Sequence, residues 1–493
     1  MKHHKHRTPR EVVIDRIDAK GRGEGKDEGG RSWAIRGAPV GATVLAAGRN
    51  FDGVRLATVR PADDAVSPPC PVFGVCGGCQ WQEMPVGRQR EEKARMLGRM
   101  LGELAGTDHG MLHAGPEYGY RNKIELTFGT ARYLLADELN TEIGRIGRWL
   151  GFHAPGRYDR IVDAPACALA SPAINAVYQR IRADIMASDL PFWDADAHIG
   201  FFRNLVLRSG DLSKATTSLL IHPQGQVLVA VYTAPGDDAQ AAWLREKAPR
   251  WGATCVGWFE NAGPADAVGG ELREVLVGGE LAITDGISGL VFRLSPTAFF
   301  QANAIAAEEM VRVVREYLAL DRPSSSDSRP TVLWDLYCGA GLLGLACAAS
   351  FDEVVGIETV AAAVADAEAN AVANAVHNAR FVAGNVEHLV ADLLATTPPD
   401  AVIVDPPRNG LHPDALAVLT RLARPSTGHA PPVLVYVACK PTSLLRDGRA
   451  LIAAGWTCTD RVAIDLFPQT AHVEVVSRWI VNRSITPVGP PSP

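Results

Sequence analysis

Two side chains near the C-terminus have the types that covalent chemistry on an electron-poor ring requires. Cys439 ends a hydrophobic run in VLVYVACKPTSLLRD, and Glu474 closes DLFPQTAHVE, residues 465–474. A thiolate that adds to a ring carbon makes the neighbouring carbon nucleophilic, and a base must later remove a proton so that the thiol can leave. Methylation at C5 of a pyrimidine such as uracil needs this pair, because C5 alone is too electron-poor to attack a methyl donor. A lone cysteine is ordinarily a packing residue. Cys439 differs because it stands just past a buried strand, where open parallel sheets place their ligand crevice. His472 is a competing base, since an unperturbed imidazole titrates near neutrality. Glu474 is the preferred base, with His472 left to positioning or packing.

A second cluster has the form of a donor site. TVLWDLYCGAGLLGL sets Gly339, Gly341 and Gly344 between a buried strand and a helix, and EVVGIE ends the next strand on Glu358, placed to bond ribose hydroxyls. Glycines there let the backbone approach a ligand. The turn also matches G-x-G-x-x-G, so a dinucleotide must be weighed. AVIVDPPRNG favours a methyl donor, because a rigid Asp-Pro-Pro turn after a buried strand aims polar groups at an acceptor base. Upstream, SPTAFFQAN (295–303) offers two aromatics and an amide as a wall over that site. Cys338 reads as support for the glycine loop.

Cys70, Cys76 and Cys79 form C-x5-C-G-G-C, and Cys167 follows in DAPACAL. Thiolates this close, with glycines between them, can wrap a metal centre. Spacing alone leans to zinc, which four thiolates suit well. Cys255, Cys347 and Cys458 read as packing residues.

The elements that must position these groups fall into three stretches. Short strands between Gly-rich turns at 8–66 predict a small OB-like barrel. Residues 67–290 hold the cysteine loop, a basic amphipathic helix (86–105) and a mixture of strands and helices of α+β character. From 291 to 485 strands alternate with Ala-rich helices, which predicts a doubly wound parallel sheet, with 323–329 (PSSSDSR) as a connector before it. The whole is a multidomain α/β protein.

Composition is that of a globular enzyme: 493 residues, 47% hydrophobic and 21% charged. No apolar run is long enough for a membrane span, and MKHHKHRTPR has no apolar region behind it, so it is not a secretory signal. The nine cysteines, an odd number, fit a reducing compartment and a cytoplasmic enzyme. A net charge of −6 does not advertise nucleic-acid binding. Residues 1–50 nevertheless carry eleven Lys/Arg against six Asp/Glu, which reads as an RNA-binding arm or a solvated tail.

Taken in order, these segments resemble the S-adenosylmethionine-dependent RNA uracil-5-methyltransferase family, and most of all its 23S ribosomal RNA branch with a TRAM domain and an iron–sulfur cluster. The carriers are C-x5-C-G-G-C with its distant fourth Cys, FFQAN, DLYCGAG, DPPR-x-G, YVACKP and D-x-F-P-x-T-x-H-x-E. The resemblance spans roughly residues 10 to 480. It implies a TRAM barrel, a central α+β domain and a C-terminal Rossmann-like class I methyltransferase domain. It implies that Cys70, Cys76, Cys79 and Cys167 ligate a [4Fe–4S] cluster rather than zinc. It implies that Gln301, Tyr337, Glu358, Asn385 and Asp405 line the cofactor and target-base pocket, with Cys439 the nucleophile and Glu474 the base. The implied partner is RNA, 23S ribosomal RNA with transfer RNA as the alternative, and no obligate protein partner is evident. A non-catalytic RNA-binding or folding factor is the rival from another class.

Two departures stand out. The family loop usually reads S-C-N-P, and here it is Ala438-Cys439-Lys440-Pro441. Lys440 is expected either to depress the thiol pKa or to contact a phosphate. Leu342 stands where the ribosomal RNA branch often has Asn.

Overall fold

The computed structural model describes residues 8–49, 52–134, 138, 144–212, 225–264, 268–296, 298, 300–320, 331–423 and 430–481. Residues 1–7, Phe299 and the connector 323–329 lie outside them.

The first five strands close into a barrel: β1 (Arg10–Ile17), β2 (Gly23–Asp27), β3 (Ser32–Ile35), β4 (Thr43–Arg49) and β5 (Asp52–Arg60), in the order β1-β2-β3-β5-β4. Alternate residues Val12, Ile14, Ile35, Val44 and Ala46 fill its interior, as the two-residue period of a strand requires. The hydrophobic pattern does not mark β2, whose sequence is GEGKD. Its inward positions are glycines because a Cβ at Gly23 would lie 2.2 Å from the Ala38 carbonyl, and one at Gly25 1.9 Å from that of Val13.

After the cysteine loop come α1 (Val86–Leu101) and β6 (Thr107–Leu112). A central sheet then forms from β7 (Lys123–Ala131), β8 (Ile146–Ala154), β9 (Arg157–Asp163), β10 (Phe202–Gly210), β11 (Gln226–Thr233), β12 (Cys255–Glu260) and β13 (Glu271–Val277), ordered β13-β12-β11-β10-β7-β8-β9. Helices α2 (Pro172–Ala187) and α3 (Asp238–Lys247) accompany it, and β14 (Ile283–Ile287) with β15 (Leu290–Leu294) makes a separate hairpin before α4 (Ala304–Ala319).

The last sheet has eight strands, ordered β18-β17-β16-β19-β20-β22-β21-β6. They are β16 (Val332–Leu336), β17 (Glu353–Glu358), β18 (Ala379–Ala383), β19 (Ala401–Val404), β20 (Val433–Ala438), β21 (Trp456–Ile464) and β22 (Glu474–Val481), with β6 at the edge. The helices between them are α5 (Leu342–Cys347), α6 (Ala361–Ala373), α7 (Val386–Thr396), α8 (Pro413–Leu422) and α9 (Pro441–Ala454). Strands β16 to β20 are mutually parallel. β22 runs antiparallel to both β20 and β21, so the sheet is mixed rather than all parallel. β6, from within the 67–290 stretch, pairs with β21, and the boundary expected at 290 is crossed by chain that belongs to the later sheet. Alternation sets the two faces. Trp334, Ile357, Val404 and Tyr436 join a core with α1, α7, α8, α9 and the barrel. Leu333, Val354, Ile403 and Val435 join one with α4, α5 and α6. Among the described residues no helix is long and apolar enough to cross a membrane.

Candidate active site

The order of the last sheet lines up the sequence-derived residues along one edge. Tyr337, Glu358, Asp405 and Cys439 stand at or just past the carboxyl ends of β16, β17, β19 and β20, and Asn385 lies two residues beyond β18. In this register Leu336 pairs with Val404, and Val404 with Tyr436. β22 runs the other way, so its first residue, Glu474, reaches the same edge. Ala438 pairs with Val475, and the next step of an antiparallel register sets Cys439 opposite Glu474. The Glu474 carboxyl is near enough to act on the Cys439 thiol.

Charge at this end of the edge is held away from its solution state. Glu474 is buried, and its Oε2 has no hydrogen-bond partner among the described residues. Burial, and then the nearby Asp405 carboxylate, push Glu474 well above the usual carboxyl range, while Arg408 opposes them. Burial lifts Asp405 to about 7. Two carboxyls this close cannot both ionise cheaply, so each raises the cost of charge on the other. Burial, Glu474 and Asp405 together raise the Cys439 thiol to about 11, and Arg408 is the cation that lowers it. Lys440 is exposed and is not among the charges acting on this thiol. The cation that acts on the thiol most is Arg408, which the DPPR motif carries.

His472 is pushed down to about 4 by burial and by the Arg408 guanidinium, whose Nη2 lies 3.3 Å from the imidazole Nε2. A group that titrates so low is a poor base at neutral pH. Its geometry is that of a neutral acceptor steadying Arg408.

At the other end, a tight turn follows β16. Tyr337, Gly339 and Gly341 all have positive φ, +65°, +55° and +85°, a region costly for residues with a Cβ. Glu358 braces the turn, its Oε2 accepting from the Gly339 N–H at 3.1 Å and its Oε1 from the Val360 N–H at 2.9 Å. Gln301, Tyr337 and Asp405 line one cleft together with Phe300, Asp335 and Gly339. The Gln301 carbonyl accepts from Asn122 Nδ2 at 3.0 Å, which ties this segment to the central sheet. Glu358 adjoins the cleft through Gly339. Asn385 is exposed at the start of α7 and does not line it.

Asp335 is a residue the sequence reasoning missed. It is fully buried, its Oδ2 accepts from the Gly344 N–H at 2.7 Å, and its Oδ1 has no partner among the described residues. Burial lifts it to about 7, and Asp405 and Glu358 add to the shift. The available signal was an acid ending the strand that opens the glycine turn. Arg408 was missed in the same way, although DPPR printed it.

Cys70, Cys76, Cys79 and Cys167 face one cavity of about 490 Å³, with the cations Arg121, Lys123 and Arg208 in its wall. All four are free thiols. Asn175 pins the Cys167 backbone from both sides, Oδ1 accepting from its N–H and Nδ2 donating to its carbonyl, each at 3.0 Å. Among the described residues no three His, Cys, Asp or Glu side chains converge closely enough to hold a single metal ion. Cys255, Cys338, Cys347 and Cys458 are buried singly in the cores.

Residues 272–478 match the family described as tRNA (Uracil-5-)-methyltransferase. The chain is 31% identical over 442 residues to an uncharacterized RNA methyltransferase of Chlorobaculum tepidum, covering 87% of this chain and 86% of that one. It is 31% identical over 477 residues to one of Caldanaerobacter subterraneus, covering 94% and 97%. Among solved structures it resembles the Pyrococcus abyssi tRNA (uracil-54, C5)-methyltransferase in complex with S-adenosyl-L-homocysteine, with a TM-score of 0.71 at 24% identity, covering 95% of this chain and 100% of that one. With a thiol and a carboxyl paired across strands beside a glycine-turn cleft, and relatives matched over most of its length, this chain belongs to the tRNA (uracil-5-)-methyltransferase family of RNA methyltransferases.

Proposed function

We propose that this protein transfers a methyl group from S-adenosylmethionine to C5 of a uridine in RNA, with 23S ribosomal RNA as the first substrate to test. The observation that carries the reading is the antiparallel register that sets Cys439 opposite Glu474 on the sheet edge holding the glycine-turn cleft. The donor supplies an electrophilic methyl group when bound. Gln301, Tyr337, Glu358 and Asp405 are the residues we assign to the donor and target-base pocket, with Asn385, exposed on the same edge, assigned to the outer end of the donor. The unpartnered Oδ1 of Asp335 inside the cleft is an acceptor of the kind that a donor's ammonium group would satisfy.

The target uridine leaves its stack to enter the site. Cys439 adds to C6, and Asp405 and Gln301 hydrogen-bond the uracil edge as charge moves onto it. C5 takes the methyl group. The demethylated donor leaves as the thioether, and Glu474, having like the thiol given its own proton to solvent, removes the C5 proton, after which the thiolate is expelled and the ring regains its double bond. Arg408, which acts on both the thiol and Glu474, is placed to favour the thiolate and the ionised carboxyl.

We assign the cysteine cavity to a [4Fe–4S] cluster held by Cys70, Cys76, Cys79 and Cys167. The four thiols line one cavity of about 490 Å³, a donor set that suits such a cluster, with zinc as the alternative that four thiolates also suit. When bound, the cluster would cross-link the loop to Cys167 beside β9. We read the barrel as a TRAM-type RNA-binding module at 8–66, the central unit as 67–290 and the catalytic unit as 291–485. An RNA substrate and unpaired thiols fit a cytoplasmic enzyme.

A transfer RNA uridine is the second reading, favoured by the family's description. The barrel does not by itself separate the two, since the whole Pyrococcus abyssi transfer RNA enzyme superimposes on 95% of this chain. The test uses the purified protein, S-adenosylmethionine and 5-fluorouridine-substituted RNA. Fluorine cannot leave as a proton, so a C5 methyltransferase stalls as a covalent complex that survives denaturing electrophoresis. A Cys439-dependent complex with 23S ribosomal RNA fragments is expected. A complex with transfer RNA alone would move the substrate, and none with either would favour a binding factor.

A further inference from the structure

Glu474 is delivered by the loop 465–473, and residues 80–93 bond that loop at several points. We propose that Gln89 and Lys93 of α1 are positioning residues for the base, fixing this loop so that Glu474 faces Cys439. The inference rests on the reading of Glu474 as the base.

The key residue is Gln469. It is buried and has φ of +69°, a left-handed conformation disfavoured for any residue with a Cβ. Such a turn persists only where its surroundings over-determine it. Its N–H donates to Gln89 Oε1 at 2.8 Å, and its own Oε1 accepts from Gln89 Nε2 at 2.8 Å. Its carbonyl accepts from the backbone N–H groups of Gln80 and Trp81 at 3.0 and 3.2 Å. Gln89 is anchored in turn, Nε2 reaching the Trp81 and Met84 carbonyls at 3.0 and 2.8 Å.

One helical turn further along α1, Lys93 lies on the same face. Its Nζ is fully buried and donates to Asp465 Oδ1 at 2.6 Å and to the Phe467 carbonyl at 3.1 Å. Arg90 Nε holds the other Asp465 oxygen at 3.2 Å. Two further donors brace the loop: Asn303 Nδ2 to the Leu466 carbonyl and Tyr120 Oη to that of Pro468, both at 3.0 Å. A buried ion pair is seldom more stabilising than a hydrophobic pair of the same shape. What this one supplies is a fixed geometry for the loop that ends in Glu474. Gln80 directly follows Cys79, so the cysteine loop and the base share one mechanical frame.

Loosening the strut should therefore slow proton removal and leave donor binding alone. The test compares Gln89→Leu and the double variant Lys93→Met with Asp465→Leu, which removes both buried charges and leaves only the partly exposed Arg90 without that partner. Each is assayed on ordinary uridine RNA of whichever class the parent methylates. We expect kcat to fall about 10- to 100-fold, the cost of a small misplacement of a reacting group, with donor KM changed less than about 2-fold. A methylated covalent protein–RNA complex should accumulate, as in Glu474→Gln. Amide hydrogen exchange should rise about 10-fold or more across 466–474 and stay constant across 335–358. Unchanged exchange at 466–474, or equal losses of kcat and donor affinity with no trapped complex, would overturn the proposal. If the double variant does not fold, Gln89→Leu decides by the same readouts. A parent that methylates no RNA would instead sink the functional reading, and hydrogen exchange would still judge the strut.

Discussion

The two halves of the sheet edge are built on different plans. The donor half, at the ends of β16, β17 and β18, comes from one continuous stretch. Its acids are tied to the backbone of their own turns, Glu358 to Gly339 and Val360, and Asp335 to Gly344. The acceptor half draws Asp405, Arg408, Cys439 and Glu474 from three separate stretches and is braced by Gln89, 380 residues from its partner Gln469. Burial there shifts both acids and the thiol towards their protonated forms. A binding surface can be specified by local turn geometry. A reactive surface that keeps displaced charge needs support from elsewhere in the fold. Damage to the first half should appear in KM, and damage to the second in kcat.

The largest effect belongs to the thiol. Cys439→Ala should abolish methyl transfer and every covalent complex, while donor binding by calorimetry stays intact. Loss of donor binding in this variant would erase the division between the halves.

Arg408→Gln comes next. The thiol sits at about 11 with this guanidinium opposing burial and the two carboxyls. Below such a pKa the thiolate fraction rises about tenfold per pH unit, so turnover should climb through neutral into alkaline pH. Removing the cation pushes the thiol higher, moving the pH–kcat profile in the alkaline direction and lowering the neutral rate about tenfold or more. An unchanged profile would mean that Arg408 does not govern the thiol.

Gly341→Ala probes the donor half. Its φ of +85°, and a Cβ that would lie 3.1 Å from Leu345 and Phe381, strain the turn by about 1–2 kcal/mol. Donor KM should rise roughly 5- to 30-fold at near-constant kcat. A fall in kcat alone would contradict the contrast.

Asp335→Asn tests burial at the same turn through stability. The folded carboxyl stands at about 7, above its unfolded value near 4. It therefore favours the fold below about pH 4, and that contribution is lost as pH rises to about 7. The variant should melt with less dependence on pH across this window, and at neutral pH melt no lower than the parent. Equal pH slopes would count against the buried-acid assignment.

Lys440→Asn should do least. The side chain is exposed, so the pH–rate profile should not move. A shift towards higher pH would restore Lys440 as a regulator of the thiol.

What was legible in the sequence follows the same division. The glycine turn and Glu358 could be read because the contacts that shape them are local. The strand–helix alternation pointed to the last sheet, but not to β22 being antiparallel. That reversal is what brings Glu474 to the edge. β6 was invisible as a member of this sheet, because TDHGML is exposed and polar and its pairing with β21 is a long-range fact. β2 was missed because backbone proximity demands glycine where a strand pattern would show an apolar residue. The Lys93–Asp465 pair and the Gln89–Gln469 bonds join residues of ordinary type across 372 and 380 positions, and no local periodicity signals them.

The central claim is that Cys439 and Glu474 act in succession on one base. It is tested most directly by the intact mass of Glu474→Gln after incubation with S-adenosylmethionine and unsubstituted substrate RNA. The account predicts a covalent protein–RNA species heavier than the sum of its parts by one methyl group, mapping to the Cys439 peptide. Free, fully methylated RNA released at the parent's rate, with no trapped species, would contradict it.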